Sequence, residues 1–134
     1  MSSVLQPSES VLRVTTPRLR ITTTRSGTAV TVRLDGEVDQ GDRGILEDVL
    51  AKALADSPAR LIIDLAGLTF CYSVCLNALL TVRLQAEAAG VRMVLAAPPA
   101  QTRRLLEITG ADEVFPIHAT VPVALLAGAG RQPR

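Results

Sequence analysis

The 134-residue chain has no tryptophan, one tyrosine (Tyr72) and two phenylalanines (Phe70 and Phe115). Without a set of aromatic faces there is no platform on which unpaired bases could stack. Neither sign of charge dominates: Lys and Arg together number 14 against 13 Asp and Glu, a formal net charge of +1. A chain so balanced lacks the basic field that draws proteins to nucleic acid or to an anionic membrane surface. Lysine is nearly absent, with Lys52 alone among the arginines, a bias we read as genome composition rather than chemistry. Only two cysteines are present, Cys71 and Cys75, too few for a disulfide scaffold and consistent with a reducing compartment. No apolar run reaches the length of a membrane span. The start of the chain carries neither the basic residues nor the apolar block of a secretory leader. The expectation is a soluble cytoplasmic protein without cofactor or metal.

What is present suffices for one core. A hydrophobic fraction of 48% and a charged fraction of 20% describe a folded chain of single-domain size. Residues 1–17 mix Ser, Pro and Thr without a period and read as a flexible tail, with one strand-like piece near Val11–Val14; residues 128–134 read as a second flexible tail. Residues 18–127 form the domain between them, and no internal repeat is visible. Leu19, Ile21 and Thr23 share a face, the Ser26-Gly27 pair signals a turn, and Val30, Val32 and Leu34 alternate with polar residues. Together they predict a hairpin, broken at Asp35-Gly36.

Ile45, Leu46, Val49, Leu50, Ala53 and Leu54 fall at helical spacing, and Ser57-Pro58 stops that helix. Leu61–Leu65 reads as a strand buried on both faces. A second helix is predicted from Val74 to Ala89, with Leu76, Leu79, Leu80 and Leu84 as its buried stripe and Gly90 as its end. Val91–Ala97 is the next strand, and Pro98-Pro99 opens a third helix that closes at Gly110. Val114–Ile117 is a last strand, and Thr120 caps a final helix with Pro122 in its first turn. Strands alternating with helices predict an α/β fold: a mostly parallel mixed sheet with an N-terminal hairpin and about four helices.

The stretch from Leu68 to Asn77 joins a buried strand to a helix. Open α/β sheets place their sites at such turns, beyond the carboxyl ends of strands. Ser73 falls at the predicted helix start, where a serine is a favoured cap for the first turn. The other reading of Ser73 is a phosphorylation site: a phosphate adds about −1.5 to −2 charge at a helix N-terminus and would alter whatever docks there. Asp39 and Asp42 are the two candidates to cap the first helix.

Taken together these segments resemble the STAS-domain anti-sigma factor antagonists of bacteria. Val32-Arg33-Leu34-Asp35-Gly36-Glu37-Val38-Asp39 is similar to the family's strand ending in Gly-Glu-(apolar)-Asp. Leu61–Leu65 followed by Leu68-Thr69-Phe70 is similar to its central strand, and Ser73 aligns with its phosphoacceptor serine. Ala97-Pro98 and Leu105–Gly110 fit its later strand and helix. The resemblance runs from about Leu19 to Leu126.

It implies a STAS-type single domain with no catalytic machinery. The unmodified protein would bind an anti-sigma factor, a serine kinase of histidine-kinase-like ATPase fold, and so free a sigma factor. Phosphorylation of Ser73 would end the interaction. The implied partner surface is Gly36, Glu37, Val38 and Asp39, extending to Gln40, with Cys71, Tyr72, Ser73, Val74, Cys75 and Asn77 and the exposed face of the following helix. The family's turn reads Asp-Ser-(Ser/Thr)-Gly-(Leu/Ile), whereas this chain has Tyr72-Ser73-Val74-Cys75-Leu76. That departure leaves a second expectation: an interaction module that no kinase modifies, serving constitutive binding or a homodimer.

Two further classes are weaker. A hydrolase elbow needs glycines on both sides of its serine, and Ser73 has neither; His118 and Asp112 are the only partners a triad could draw on. A metal site from Cys71, Cys75 and His118 would be one ligand short of a closed structural zinc centre, and the two cysteines read first as a pair of buried small hydrophobes. A helix N-terminus at Cys75 would lower its thiol pKa and suggest a redox role.

Overall fold

The computed structural model describes residues 11–129. The tail expectations for residues 1–10 and 130–134 lie outside the described residues. The chain runs β1 (Val11–Thr15), β2 (Leu19–Ser26), β3 (Ala29–Glu37), α1 (Arg43–Ala55), β4 (Arg60–Phe70), α2 (Ser73–Ala89), β5 (Arg92–Ala96), α3 (Ala100–Thr109), β6 (Ile117–His118) and α4 (Val121–Ala129). Short 3-10 turns at Gln40–Asp42 and Ala111–Glu113 precede α1 and follow α3. The sheet order follows the chain, β1 to β6. The first three strands are antiparallel neighbours, and β3 to β6 are parallel. β1 and the β2–β3 hairpin thus form the antiparallel side of a sheet whose remaining strands need helical crossovers.

Alternation along the strands sorts their side chains between two layers. Leu61, Ile63 and Leu65 of β4 join Val32, Leu34, Leu46, Leu50, Leu79, Val82 and Leu106 in the main core beneath α1, α2 and α3. Ile62, Val94 and Ala96 point the other way and meet Ala124 of α4. Each fully buried Leu or Ile contributes roughly 1.5–3 kcal/mol, so the central strand, buried on both faces as its sequence predicts, anchors the fold.

Several details differ from the sequence expectation. Asp35-Gly36 does not end the hairpin: β3 continues to Glu37 through register shifts at Arg33/Asp35 and Gly36/Glu37. The bulge is held electrostatically. Arg33 Nε donates to both Asp35 carboxylate oxygens at 3.0 and 3.1 Å, and its Nη1 donates to the buried Asp64 at 3.3 Å. Those two carboxylates, Asp35 foremost by its hydrogen bond, raise the Arg33 pKa.

The strand-like piece near Val11–Val14 is a full edge strand, paired with β2 from Val11↔Thr24 to Thr15↔Arg20. The last strand is Ile117–His118 rather than Val114–Ile117, because Phe115 is driven into the core and Pro116 has no N–H to extend a ladder. Leu84 is 63% exposed and Ile45 38%. The buried face of α2 is instead Cys75, Leu76, Ala78, Leu79, Val82 and Ala86, where small alanines let the helix approach the sheet. Gly90 and Gly110 end α2 and α3 as expected, and Thr120 Oγ1 accepts from the Val123 N–H at 3.2 Å.

Candidate functional site

The carboxyl ends of β3 and β4 lie side by side, and the segments leaving them build the site. At the end of β3, Gly36 has φ +107°, and a Cβ there would collide with the Arg18 carbonyl oxygen. Only glycine permits that approach, which the Glu37 N–H uses to donate to Arg18 O at 2.9 Å. The Arg18 and Glu37 side chains pair across the same gap at 3.6 Å. Val38 is fully buried. The Asp39 carboxylate accepts from the Gly41 N–H at 3.0 Å, and the Asp42 carboxylate accepts from the Asp39 N–H at 3.2 Å. That reciprocal pair is a capping box on the turn leading into α1, so both acids take part and Asp39 supplies the leading cap.

At the end of β4, Thr69 Oγ1 donates to Gly36 O at 3.0 Å and ties the two exits together. Phe70 and Tyr72 are exposed, 39% and 45%, with ring centroids 4.6 Å apart. Tyr72 is extended and stands before the helix; its carbonyl accepts from the Cys75 and Leu76 N–H groups at 3.0 and 3.2 Å. Ser73 is the first helical residue, exposed, and α2 has no side-chain cap. The expectation that Ser73 caps the helix is therefore corrected. A side chain one position inside the helix points away from the N–H groups that a capping oxygen reaches.

The two exits face each other across a shallow recess of about 370 Å³, walled by Arg18 and Glu37–Gln40 on one side and Tyr72–Val74 on the other. Of the residues singled out from sequence, Glu37, Val38, Asp39, Gln40, Tyr72, Ser73 and Val74 line it. Val38, Cys71 and Cys75 are buried, each closing the core beneath the exits. Gly36 shapes the loop from within its backbone, and Asn77 is exposed on α2 away from the recess walls.

Cys71 and Cys75 are buried, as the small-hydrophobe reading expects, and the expectation of a lowered Cys75 thiol is corrected. A hydrogen bond from Cys75 lowers the Cys71 thiol, while that same bond and burial push Cys75 up. The bond with Cys71 is the larger cause at Cys75, and removal of the thiol from water adds to it. Among the described residues no group of three or more His, Cys, Asp and Glu could hold a metal ion, and His118 stands on β6, beyond β5 from the serine turn.

Two participants escaped the sequence reading. Arg18 is brought to Glu37 by the Leu19↔Gly36 register, a pairing that no local motif announces. Gln101, at the start of α3, donates from Nε2 to Cys71 O at 3.0 Å and accepts the Cys71 N–H on Oε1 at 2.8 Å. Its only sequence signal was its place just past Pro98-Pro99.

Fold and site define the class: a small α/β domain that presents a shallow recess and a helix start at one end of a mixed sheet. The family model described as "Mlab, STAS domain" matches residues 21–122, and the chain belongs to the STAS domain family. The anti-sigma-F factor antagonist RsfB of Mycobacterium tuberculosis is 31% identical over 100 residues, covering 75% of this chain and 80% of RsfB. The crystal structure of an anti-sigma factor antagonist from Mycobacterium paratuberculosis superposes with a TM-score of 0.73 at 27% identity, over 92% of this chain and 97% of that one. SpoIIAA in its unphosphorylated form shares the fold, with a TM-score of 0.67 at 19% identity over 92% of this chain and all of the other. Among the described residues no helix is long and apolar enough to cross a membrane.

Proposed function

We propose that this protein is an anti-sigma factor antagonist that docks an anti-sigma factor over the recess between Glu37–Gln40 and Tyr72–Val74. Docking would release the sigma factor, and phosphorylation of Ser73 would prevent it. The observation that carries this reading is the free, exposed Ser73 at the first position of α2, facing the acidic wall of the recess. A capping serine would be engaged by its own helix, whereas this hydroxyl is open to a kinase.

The first-turn N–H groups and the helix dipole favour a phosphate there by about 0.3–1 kcal/mol, so modification would not unravel α2. It would place about −1.5 to −2 charge against Glu37 and Asp39, and its bulk would fill the volume a partner side chain needs. Burial of Cys75 removes an obstacle suggested by the altered turn: its side chain points into the core and leaves the approach to Ser73 clear. The kinase would be the anti-sigma factor itself, an ATPase of histidine-kinase-like fold. The antagonist supplies only the acceptor oxygen, and it acts in the cytoplasm.

One observation favours a second reading. The exposed Phe70 and Tyr72, whose rings meet at a tilt of 49°, give the turn an apolar character suited to a constitutive contact or a homodimer. The two readings separate on one experiment. The protein is incubated with each anti-sigma factor of ATPase fold from the same genome and ATP, then weighed. A gain of one phosphate at Ser73, with Ser73→Asp losing partner binding and Ser73→Ala keeping it, supports the switch. An unchanged mass with equal binding by all three forms supports the constitutive module instead.

A further inference from the structure

Strand β4 outruns its neighbour. Its pairing with β5 ends at Asp64↔Ala96, since Ala97 turns away with φ +56° and Pro98-Pro99 lead into α3. Cys71, the residue between the end of β4 and Tyr72, therefore has no strand to satisfy its peptide groups on that side. Gln101 takes that role. Its side-chain amide accepts the Cys71 N–H at 2.8 Å and donates to the Cys71 carbonyl at 3.0 Å, the same two bonds a paired strand residue would make. Thr102, itself 1% exposed, has its hydroxyl 3.5 Å from the Gln101 Oε1, and it anchors the helix start that carries the amide. The clamp is two-point, so it fixes the Cys71 peptide in rotation as well as in position. Tyr72 and Ser73 follow within two residues.

We infer that Gln101 is a positioning residue for the serine turn, its amide clamping the Cys71 peptide so that Tyr72 and Ser73 are held in one orientation. The inference deepens the proposed function and rests on that reading for its meaning, yet its test needs no partner. Tyr72 is the sole tyrosine in a chain without tryptophan, so intrinsic emission reports this turn alone.

In Gln101→Ala, Tyr72 anisotropy should fall, acrylamide should quench it more strongly, and the Cys71 amide should exchange about fivefold faster. In Gln101→Glu, the ionised carboxylate accepts from the Cys71 N–H but cannot donate to its carbonyl. The protonated acid can do both, so Tyr72 anisotropy should recover as pH falls through about 4.3, over and above whatever dependence Arg18, Glu37 and Asp39, which face Tyr72 across the recess, give wild type. Tyr72 emission and Cys71 exchange that match wild type in Gln101→Ala, or a Gln101→Glu signal flat with pH, would overturn the clamp. The Ser73 reading fails separately, when Ser73→Asp binds the anti-sigma factor as wild type does while the Tyr72 signals still respond to Gln101.

Discussion

The entrances to α1 and α2 sit on opposite walls of the same recess and are built in opposite ways. The entrance to α1 uses its side chains on itself: Asp39 and Asp42 cap the turn reciprocally, and Gly36 accepts a backbone approach that no other residue allows. The entrance to α2 has no side-chain cap, leaves Ser73 exposed at its first position, and is held from outside by Gln101. The contrast therefore separates a wall whose acids brace their own turn from a wall that leaves a hydroxyl exposed.

Four perturbations would break or sharpen that contrast. The largest effect is expected from Gly36→Ala, which forces a side chain onto the Arg18 carbonyl at positive φ and should cost about 3 kcal/mol. Denaturant unfolding measures it, and a wild-type midpoint would mean that the loop is not built on that contact. Asp39→Ala should cost about 1 kcal/mol in the same assay.

The thiols give a pH test. The folded-state pKa of Cys75 is raised above its ordinary 9.0, so its stabilisation is full below that value and is lost as pH rises beyond it. The lowered Cys71 opposes this with the smaller shift. Melting midpoints from about pH 8 to about pH 11 should fall more steeply in wild type than in Cys75→Ala; parallel curves would refute the linkage. The smallest effect is expected from Ser73→Ala, within about 0.5 kcal/mol of wild type. A loss near the Asp39→Ala value would restore Ser73 as a cap and erase the contrast.

Much of the fold was legible because it rests on local rules. Alternation at Val30, Val32 and Leu34 gave the hairpin, the unbroken run at Leu61–Leu65 gave the doubly buried strand, and Gly90, Gly110 and Thr120 gave helix ends. The buried face of α2 was misplaced at Leu84, because leucines draw the eye while Ala78 and Ala86 do the close packing. In the site, the two motifs around Gly36–Asp39 and Ser73 were visible as segments. Depth was legible only in part: Cys71 and Cys75 read as buried small hydrophobes as well as partner-surface candidates, while Val38 read as surface, since a loop motif carries no distance from the core.

Sequence by itself determined the sheet's core strand, the hairpin, the helix ends and the two segments that line the recess, since each depends on periodicity or on neighbours within one turn. Tertiary structure alone decided that Ser73 stands one residue inside its helix with its hydroxyl free, that Arg18 reaches Glu37, and that Gln101 grips Cys71 from 30 residues away. Those outcomes depend on register and on where strands stop relative to one another. Such relations join distant parts of the chain, and no local pattern of residue types encodes them.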